Sequence, residues 1–346
     1  MGLRVLHSAD WHMDSPFAGF DPDRREYLKR ELSKVPGRIA EICRRENCDL
    51  VVLSGDIFDS ATCRDSAGLV RDALESCGVP VCIAPGNHDF LTSGSPWLEM
   101  DWPENVYIFT VGMQSITLPR LDCKIYGAGY RSMDCGPLLE NFRAEGPETY
   151  KRAVLHGDPM RLNSPYCPVT SAQVRDSGLT YLALGHIHKS GSFRSGETLC
   201  GWPGTPMGRG FDETGEKGVL LVTIDETATA EFIPLDTPRF YDLEVPAEKG
   251  PDSVLPPVGS EDFYRITLTG PSEPVDLEQL KKDYAHFPNL VLRDRTTPPL
   301  DIWGSADADS LEGMFFGALK EQNSETATLA AKISRQILNG QEVTLP

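Results

Sequence analysis

Short apolar runs that are followed by polar turns recur along the first part of the chain. Residues 3–8 alternate as a strand, and residues 49–54 and 79–85 are almost uniformly apolar. Between these runs, apolar positions spaced by three and four residues predict helices over about 24–45 and 69–77. Strands that alternate with helices in this way indicate parallel pairing with right-handed crossovers.

Two residues are expected to set helix boundaries. Pro36 lies inside the first helical pattern, where a proline removes a backbone hydrogen bond, so it should kink or divide that helix. Gly78 follows the second helical pattern, and a glycine there favours a left-handed cap.

The same strand pattern returns further along the chain. Residues 125–127, 152–155 and 181–184 are short apolar segments, and residues 218–224 and 230–234 predict a closing hairpin. Most of these strands deliver polar residues at their carboxyl ends. In an open α/β sheet, ligands bind at those ends.

The chain changes character beyond the hairpin. A stretch rich in proline and glycine, 246–259, indicates a loop within or leading into a second domain. Strands are predicted at 263–268 and 290–292, with a helix over 277–287 between them, which fits a small α+β module.

The tail from Asp309 reads as two amphipathic helical pieces. Leu311, Phe315 and Leu319 form the apolar stripe of the first piece. The stripe either packs on the chain's own domain or binds a partner. We therefore predict a domain at 1–236, an α+β cap at 237–304 and a helical tail at 305–346.

The composition is typical of a soluble globular protein, with 24% charged and 40% hydrophobic residues. No apolar run approaches the ~20 residues of a membrane span, which predicts a cytoplasmic protein without a membrane partner. The nine cysteines include no Cys-x-x-Cys pair, so reduced and mostly buried thiols are expected. The net charge of -18 counts against strong nucleic-acid binding by this chain alone.

Five predicted strands end in groups of residues that commonly bind metals. The groups are Asp10 with His12, Asp56 with Asp59, Asn87 with His88 and Asp89, His156 with Asp158, and His186 with His188. Residues i and i+2 of an extended strand share a face, so Asp10 and His12 could reach one ion, although a strand-end turn is the simpler explanation of the pair taken alone. His7 and His286 lie outside the groups and are expected to be structural.

The mixed nitrogen and oxygen ligand set suits manganese, iron or zinc and disfavours an all-oxygen calcium or magnesium cage. The groups contain too many ligands for one ion. Two ions roughly 3.5–4 Å apart, bridged by a carboxylate, would polarise a phosphate ester and generate hydroxide between them. The chemistry predicted from the residues is therefore phosphoester hydrolysis.

Taken in order, the five groups resemble the complete signature of the calcineurin-like metallophosphoesterases. The further motifs 6–12, 202–206 followed by Arg209, and 215–219 resemble the SbcD-type DNA repair exonucleases and their YhaO-like bacterial relatives. The resemblance covers about residues 1–235. It implies an α/β fold in which a metallophosphoesterase-type β-sandwich is flanked by helices, with the smaller α+β cap following.

The resemblance also implies roles for single residues. Asp10, His12 and His188 would hold one divalent ion, Asn87, His156 and His186 would hold the other, and Asp56 would bridge them. Manganese is the first expectation, with iron or zinc as alternatives. His88 would protonate the leaving oxygen or stabilise the transition state, with Asp59 orienting its ring, unless His88 is a further ligand.

Two functions remain compatible with these residues. The first is a manganese-dependent DNA exonuclease subunit that works with an SMC-like ABC ATPase, in which hydroxide between the ions attacks the DNA phosphodiester in line. The second is a nucleotide phosphodiesterase or phosphatase that does not act on DNA, for which a cap and an amphipathic tail have no evident use. A metal-free scaffold is disfavoured because no ligand is missing, and homodimerisation is left open.

Overall fold

The computed structural model describes residues 2–340 and 342–343, which form two units, Met1–Tyr241 and Asp242–Pro346. The elements of the first unit are β1 (Leu3–Ser8), α1 (Pro22–Ser33), α2 (Val35–Arg45), β2 (Leu50–Leu53), α3 (Ala67–Ser76), β3 (Val81–Ile83), α4 (Pro96–Glu99), β4 (Val106–Ile108), β5 (Gln114–Leu118), β6 (Cys123–Gly127), β7 (Tyr150–His156), α5 (Ser171–Asp176), β8 (Tyr181–Gly185), β9 (Gly191–Ser195), β10 (Thr198–Trp202), β11 (Gly218–Ile224) and β12 (Ala228–Pro234).

Two six-stranded sheets form the framework of this unit. One has the strand order β12-β11-β1-β2-β3-β4, and the other has the order β5-β6-β7-β8-β10-β9. Strands β1, β2 and β3 are parallel neighbours in the first sheet, as predicted, and β6, β7 and β8 are parallel neighbours in the second. The polar groups therefore follow neighbouring strands within each sheet, β1 to β3 in the first and β7 and β8 in the second.

The two sheets pack face to face through a shared apolar core. Val5, Val52 and Cys82 of the first sheet belong to one buried cluster with Val154 and Ala183 of the second. Alternate residues of each strand point to the same face, so the inward positions interdigitate and exclude water. The predicted β-sandwich flanked by helices is confirmed.

Both predicted helix boundaries are present. The first helical pattern divides at Lys34, and Pro36 lies in the first turn of α2, where its missing N–H removes no helical hydrogen bond. Gly78 has a φ of 68°, the left-handed conformation expected just beyond the end of α3.

Several strands were absent from the sequence-based prediction. Strands β4, β5 and β9 lie at sheet edges and are partly exposed, so none has the uniform apolar run of a central strand. Strand β10 is buried and lies between β8 and β9, but its segment contains a glycine and a threonine among the apolar residues.

The second unit contains β13 (Phe240–Pro246), which begins at the unit boundary, then β14 (Phe263–Pro271), α6 (Leu277–Asp283), β15 (Leu290–Thr297), α7 (Leu311–Glu321) and α8 (Glu325–Leu338). The sheet order is β13-β14-β15, with β14 and β15 parallel, so a C-terminal α+β domain is present. Helix α6 is shorter than predicted, and Phe287 is buried beyond its end. The separation of a cap from a tail within this unit stays a prediction.

Only part of the predicted stripe of α7 is packed: Leu319 lies against the cluster that contains Phe316. Phe316 is fully buried against Ala306 and Ala331, and Arg335 Cζ lies 4.0 Å from the centroid of its ring. Leu311 is 86% exposed and Phe315 is 45% exposed. Much of the predicted stripe is therefore left on the surface.

Two further properties concern the described residues. The nine cysteines are all free thiols, and most of them are buried. None of the helices in the described part of the chain has both the length and the apolar character that crossing a bilayer requires.

Candidate metal centre

The candidate site lies at the carboxyl ends of five strands. The loops after β1, β2 and β3 come from one sheet, and those after β7 and β8 come from the other. Main-chain bonds join neighbouring loops, since Asp10 N donates to Gly55 O at 3.0 Å and His12 N donates to Asp56 O at 3.0 Å. The sandwich thereby fixes the backbone from which the polar side chains project.

The backbone at several of these positions is left-handed. The φ values are 54° at Asp10, 47° at His12, 52° at Asp56 and 88° at His186. This conformation costs a non-glycine residue about 1–2 kcal/mol. A turn therefore brings Asp10 and His12 together, as in the strand-end turn that the sequence analysis weighed, and the two residues do not share one face of an extended strand.

Ligand-type atoms gather in three overlapping groups, each with its atoms within 4.8 Å of one another. The groups are Asp10 with His12 and His188, His12 with Asp56 and His88, and Asp10 with Asp56 and His156. Asp56 Oδ2 lies 3.9 Å from His12 Nε2 and 3.5 Å from His156 Nε2. Asp56 thus occupies the central position that a bridging ligand needs.

The remaining two predicted ligands lie beside His156. Asn87 Oδ1 is 2.8 Å from His156 Nε2. The His186 ring centroid is 5.3 Å from that of His156, and the His186 main-chain N–H donates to the Asp10 carboxylate. Burial lowers the pKa of His186 to about 4, so the ring is a neutral electron-pair donor near pH 7.

Three histidines have an oxygen beside the ring nitrogen that faces away from the centre. His12 Nδ1 lies 3.2 Å from Asp59 Oδ1, His188 Nδ1 lies 2.7 Å from Glu213 Oε1, and His156 Nδ1 lies 2.9 Å from Ser54 O. A proton on each Nδ1 leaves the lone pair of each Nε2 directed into the site. Metal-binding histidines are held by outer partners of this kind.

The inward atoms fit a pair of cations. His12 Nε2 and His188 Nε2 are 3.3 Å apart, and His156 Nε2 lies 2.8 Å from Asn87 Oδ1. With the proton of each ring on Nδ1, these inward atoms would all be lone-pair donors to a cation. Asp10 and Asp56 are each 1% exposed, and neither has a lysine or arginine ion pair within the described ranges. Burial raises the pKa of Asp10, and a divalent cation would offset that cost.

His88 lies against the same cluster. Its main-chain N–H donates to Asp56 Oδ1 at 2.8 Å, and its Nδ1 lies 3.2 Å from Asp59 O. Asp59 therefore meets His88 through its main-chain carbonyl, while its carboxylate faces His12 and Arg209. His88 Nε2 makes no hydrogen bond with the described part of the chain.

Asp89 ties two of the loops together. Its carboxylate accepts hydrogen bonds from the main-chain N–H groups of Gly86 at 2.6 Å and Ile57 at 2.8 Å, with longer ones from Asp56 and Phe58. Burial raises the pKa of Asp89 to about 6. The carboxylate thus fixes the loop after β2 relative to the loop after β3.

His7 is structural, as expected. Its Nδ1 lies 2.7 Å from Tyr181 Oη on the opposite sheet, and its Nε2 lies 2.6 Å from Ser54 Oγ. Burial lowers its pKa to about 3, so the ring stays neutral. His286, the other histidine outside the five groups, belongs to the second unit.

Glu213 is the residue at this site that the sequence analysis missed. Besides facing His188, it accepts a hydrogen bond from Arg209 Nη2 at 2.9 Å, and Arg209 Nη1 donates to Asp59 Oδ1 at 3.3 Å. Burial would raise the pKa of Glu213, but its bonds with His188 and Arg209 hold it well below the usual range. The only available signal was its spacing of four residues from Arg209.

A buried cluster of carboxylates, imidazoles and an amide at the mouth of a two-sheet sandwich is the site of a metal-dependent phosphoesterase. The family model of the calcineurin-like phosphoesterases matches residues 3–190, more than half of the chain. The chain belongs to that family, whose members use a dinuclear divalent metal site.

Similar proteins include an uncharacterized metallophosphoesterase, YhaO, of Bacillus subtilis (strain 168), which is 33% identical over 240 residues. The match covers 64% of this chain and 57% of YhaO, so the chain spans little more than half the length of that relative. Among solved structures, a dimetal phosphatase of Danio rerio is 14% identical, with a TM-score of 0.42. The match covers 66% of this chain and 95% of the phosphatase chain. The protein TT1561 of Thermus thermophilus is 13% identical, with a TM-score of 0.41, and the match covers 65% of this chain and 99% of the TT1561 chain.

Replacing Glu213 with glutamine should weaken manganese binding about 10–100-fold, because His188 loses the carboxylate that fixes its tautomer and ring orientation. Isothermal titration of the metal-free protein measures this affinity directly. Glu216→Gln is the matched control, since Glu216 pairs with Arg239 instead of a histidine. Equal manganese affinity in Glu213→Gln and the control would contradict the positioning role.

Proposed function

We propose that the chain is a dinuclear-metal phosphodiesterase that acts as a DNA exonuclease subunit. Asp10, His12 and His188 would hold one ion, and Asn87, His156 and His186 would hold the other. The central place of Asp56 between the two sets carries this assignment, because a bridging carboxylate is what a two-metal centre needs. Manganese is the metal we propose, with iron or zinc as alternatives.

Bound divalent ions supply Lewis-acid stabilisation of the phosphate and activation of water. We propose that His88 completes the reaction. Its Nδ1–H can keep donating to Asp59 O whether or not the ring is charged. The Nε2 atom can therefore give a proton to the leaving oxygen when the phosphorus–oxygen bond breaks, and regain it from water afterwards.

The proposal of DNA as substrate rests on the motifs that resemble the SbcD-type exonucleases and on the second unit, which hydrolysis of a small ester does not require. The net charge of -18 is the observation that favours the alternative, a nucleotide phosphodiesterase or phosphatase that does not act on DNA. We propose that an SMC-like ABC ATPase supplies much of the basic DNA-binding surface.

The exposed apolar side of α7 is our candidate for the contact with that ATPase. Leu311 is 86% exposed, Met314 is 72% exposed and Phe315 is 45% exposed. Adjacent exposed apolar side chains of this size are a common feature of protein interfaces. The same surface could instead join two copies of this chain, which the experiment below distinguishes.

His88→Ala should abolish manganese-dependent hydrolysis of both linear duplex DNA and a small aryl phosphodiester, because it removes the proton donor and no predicted metal ligand. The loss expected for a general acid is about 10²–10⁴-fold. Elemental analysis should find the metal content of the wild type in the variant. Loss of one ion from His88→Ala would instead make His88 a ligand and reject its role as the acid.

The substrate is decided by the same assay. Cleavage of both substrates by the wild type supports the nuclease. If only the small diester is cleaved even after the ATPase is added, the substrate is a nucleotide or another small ester.

Leu311→Ser with Met314→Ser should reduce co-purification with the ATPase about tenfold or more, because both side chains are solvated in the free chain and would be buried on docking. Val258→Ser is the matched control, since Val258 is 73% exposed elsewhere in the second unit. Hydrolysis of the small diester should be unchanged. Undiminished co-purification would reject α7 as the docking surface, and loss of dimers alone would assign it to self-association.

A further inference from the structure

A cavity of about 680 Å³ opens beside the metal centre and is not used by the chemistry above. Its wall includes the predicted ligand His188 and its partner Glu213, together with Lys189, Thr205 and Lys217. The two sequence motifs without an assigned role, 202–206 and 215–219, both contribute to this wall. The cavity therefore gives those motifs a common location next to the reacting phosphate.

Lys217 is the least expected residue of the wall. It is only 6% exposed, and within the described residues its ammonium has no carboxylate at ion-pair distance and no hydrogen bond. Burial lowers the pKa of Lys217, and the more distant carboxylates of Glu213 and Asp212 offset this only in part. A mostly buried lysine whose ammonium has no protein partner leaves its donors free for an anion in the cavity.

Thr205 offers a second unused group. Its side chain is 1% exposed, and its hydroxyl has no hydrogen-bond partner among the described residues. Such hydroxyls are uncommon in folded proteins because each costs about 1–3 kcal/mol. The main-chain N–H of Thr205 donates to His188 O at 3.3 Å, which fixes the residue to the metal centre.

Two of the three carboxylates in the wall of the cavity already have arginine partners. Glu213 is paired with Arg209 at 2.9 Å, and Glu216 is paired with Arg239 at 3.0 Å. The remaining charged groups of the wall are two ammonium groups, Lys189 and Lys217, and one carboxylate, Asp212. The two ammonium groups give the wall donors that suit an anionic ligand.

We propose that this cavity binds a second phosphate group of the substrate, the one next along a nucleic-acid strand from the phosphodiester being hydrolysed. The Lys217 ammonium and the Thr205 hydroxyl would donate to its oxygens. The proposal rests on the proposed function, in which a phosphodiester reacts beside His188. Consecutive phosphates of one strand are separated by a single nucleoside, so the phosphate next to the one being hydrolysed lies close to the centre.

Two chromogenic substrates that differ by one phosphate test this site. The p-nitrophenyl ester of thymidine 5′-phosphate has a single phosphodiester, and its 3′-phosphorylated form adds the second group. In manganese-loaded wild type, the added phosphate should raise kcat/KM about tenfold, the effect of one charge-assisted hydrogen bond. Lys217→Met should bring the ratio of the two kcat/KM values close to one.

A second variant and a control keep the test independent of folding. Thr205→Val preserves the side-chain volume and removes a hydroxyl that bonds nothing in the described part of the protein, so it should fold and also lower the ratio. Lys29→Met removes an exposed lysine of α1 and should leave the ratio unchanged. An unchanged ratio in both Lys217→Met and Thr205→Val would overturn the proposal.

Calorimetry with the manganese-loaded protein provides a measurement that does not depend on turnover. Thymidine 3′,5′-bisphosphate should bind about tenfold more tightly than thymidine 5′-monophosphate, and Lys217→Met should remove the difference. Equal affinities in the wild type would overturn the proposal. Tighter binding of thymidine 5′-diphosphate than of the bisphosphate would overturn the strand assignment and place the phosphate on a free nucleotide.

The proposed function can fail separately. If the wild type hydrolyses neither nitrophenyl ester, phosphodiester hydrolysis is rejected, and the calorimetric comparison still decides whether the cavity binds a second phosphate.

Discussion

The burial of two carboxylates, Asp10 and Asp56, with no lysine or arginine paired to either in the described ranges is the constraint on which this structure depends. Such groups are unfavourable in a dry environment unless cations accompany them. Left-handed backbone at both positions adds a local cost. The broad apolar contact between the two sheets offsets these costs, and divalent ions would neutralise the charge that remains.

The same constraint explains the residues around the predicted ligands. Asp59 and Glu213 face the outer nitrogens of His12 and His188, and Arg209 links the two carboxylates. With a proton on its outer nitrogen, each imidazole would present a lone pair to a cation at the centre. Because Arg209 and Glu213 come from one loop, the segment after β10 controls the geometry of ligands from β1 and β8.

The sequence predicted the sandwich, its parallel strand sets and the polar groups at their ends, since each rests on short-range patterns. It did not decide between an extended strand and a turn at Asp10 and His12, because the residue types alone do not reveal left-handed φ at a non-glycine position. Glu213 was missed since its partner His188 is distant in sequence. On α7, the three-and-four spacing of apolar residues did not distinguish the buried Phe316 from the exposed Phe315.

The central claim is that one chain holds two divalent ions bridged by Asp56. Electron paramagnetic resonance during manganese titration of the metal-free protein tests it most directly. We expect two ions per chain and the spectrum of a spin-coupled pair, which Asp56→Asn should convert into the six-line pattern of isolated manganese. A single bound ion per chain, or two ions that remain uncoupled in the wild type, would contradict the account.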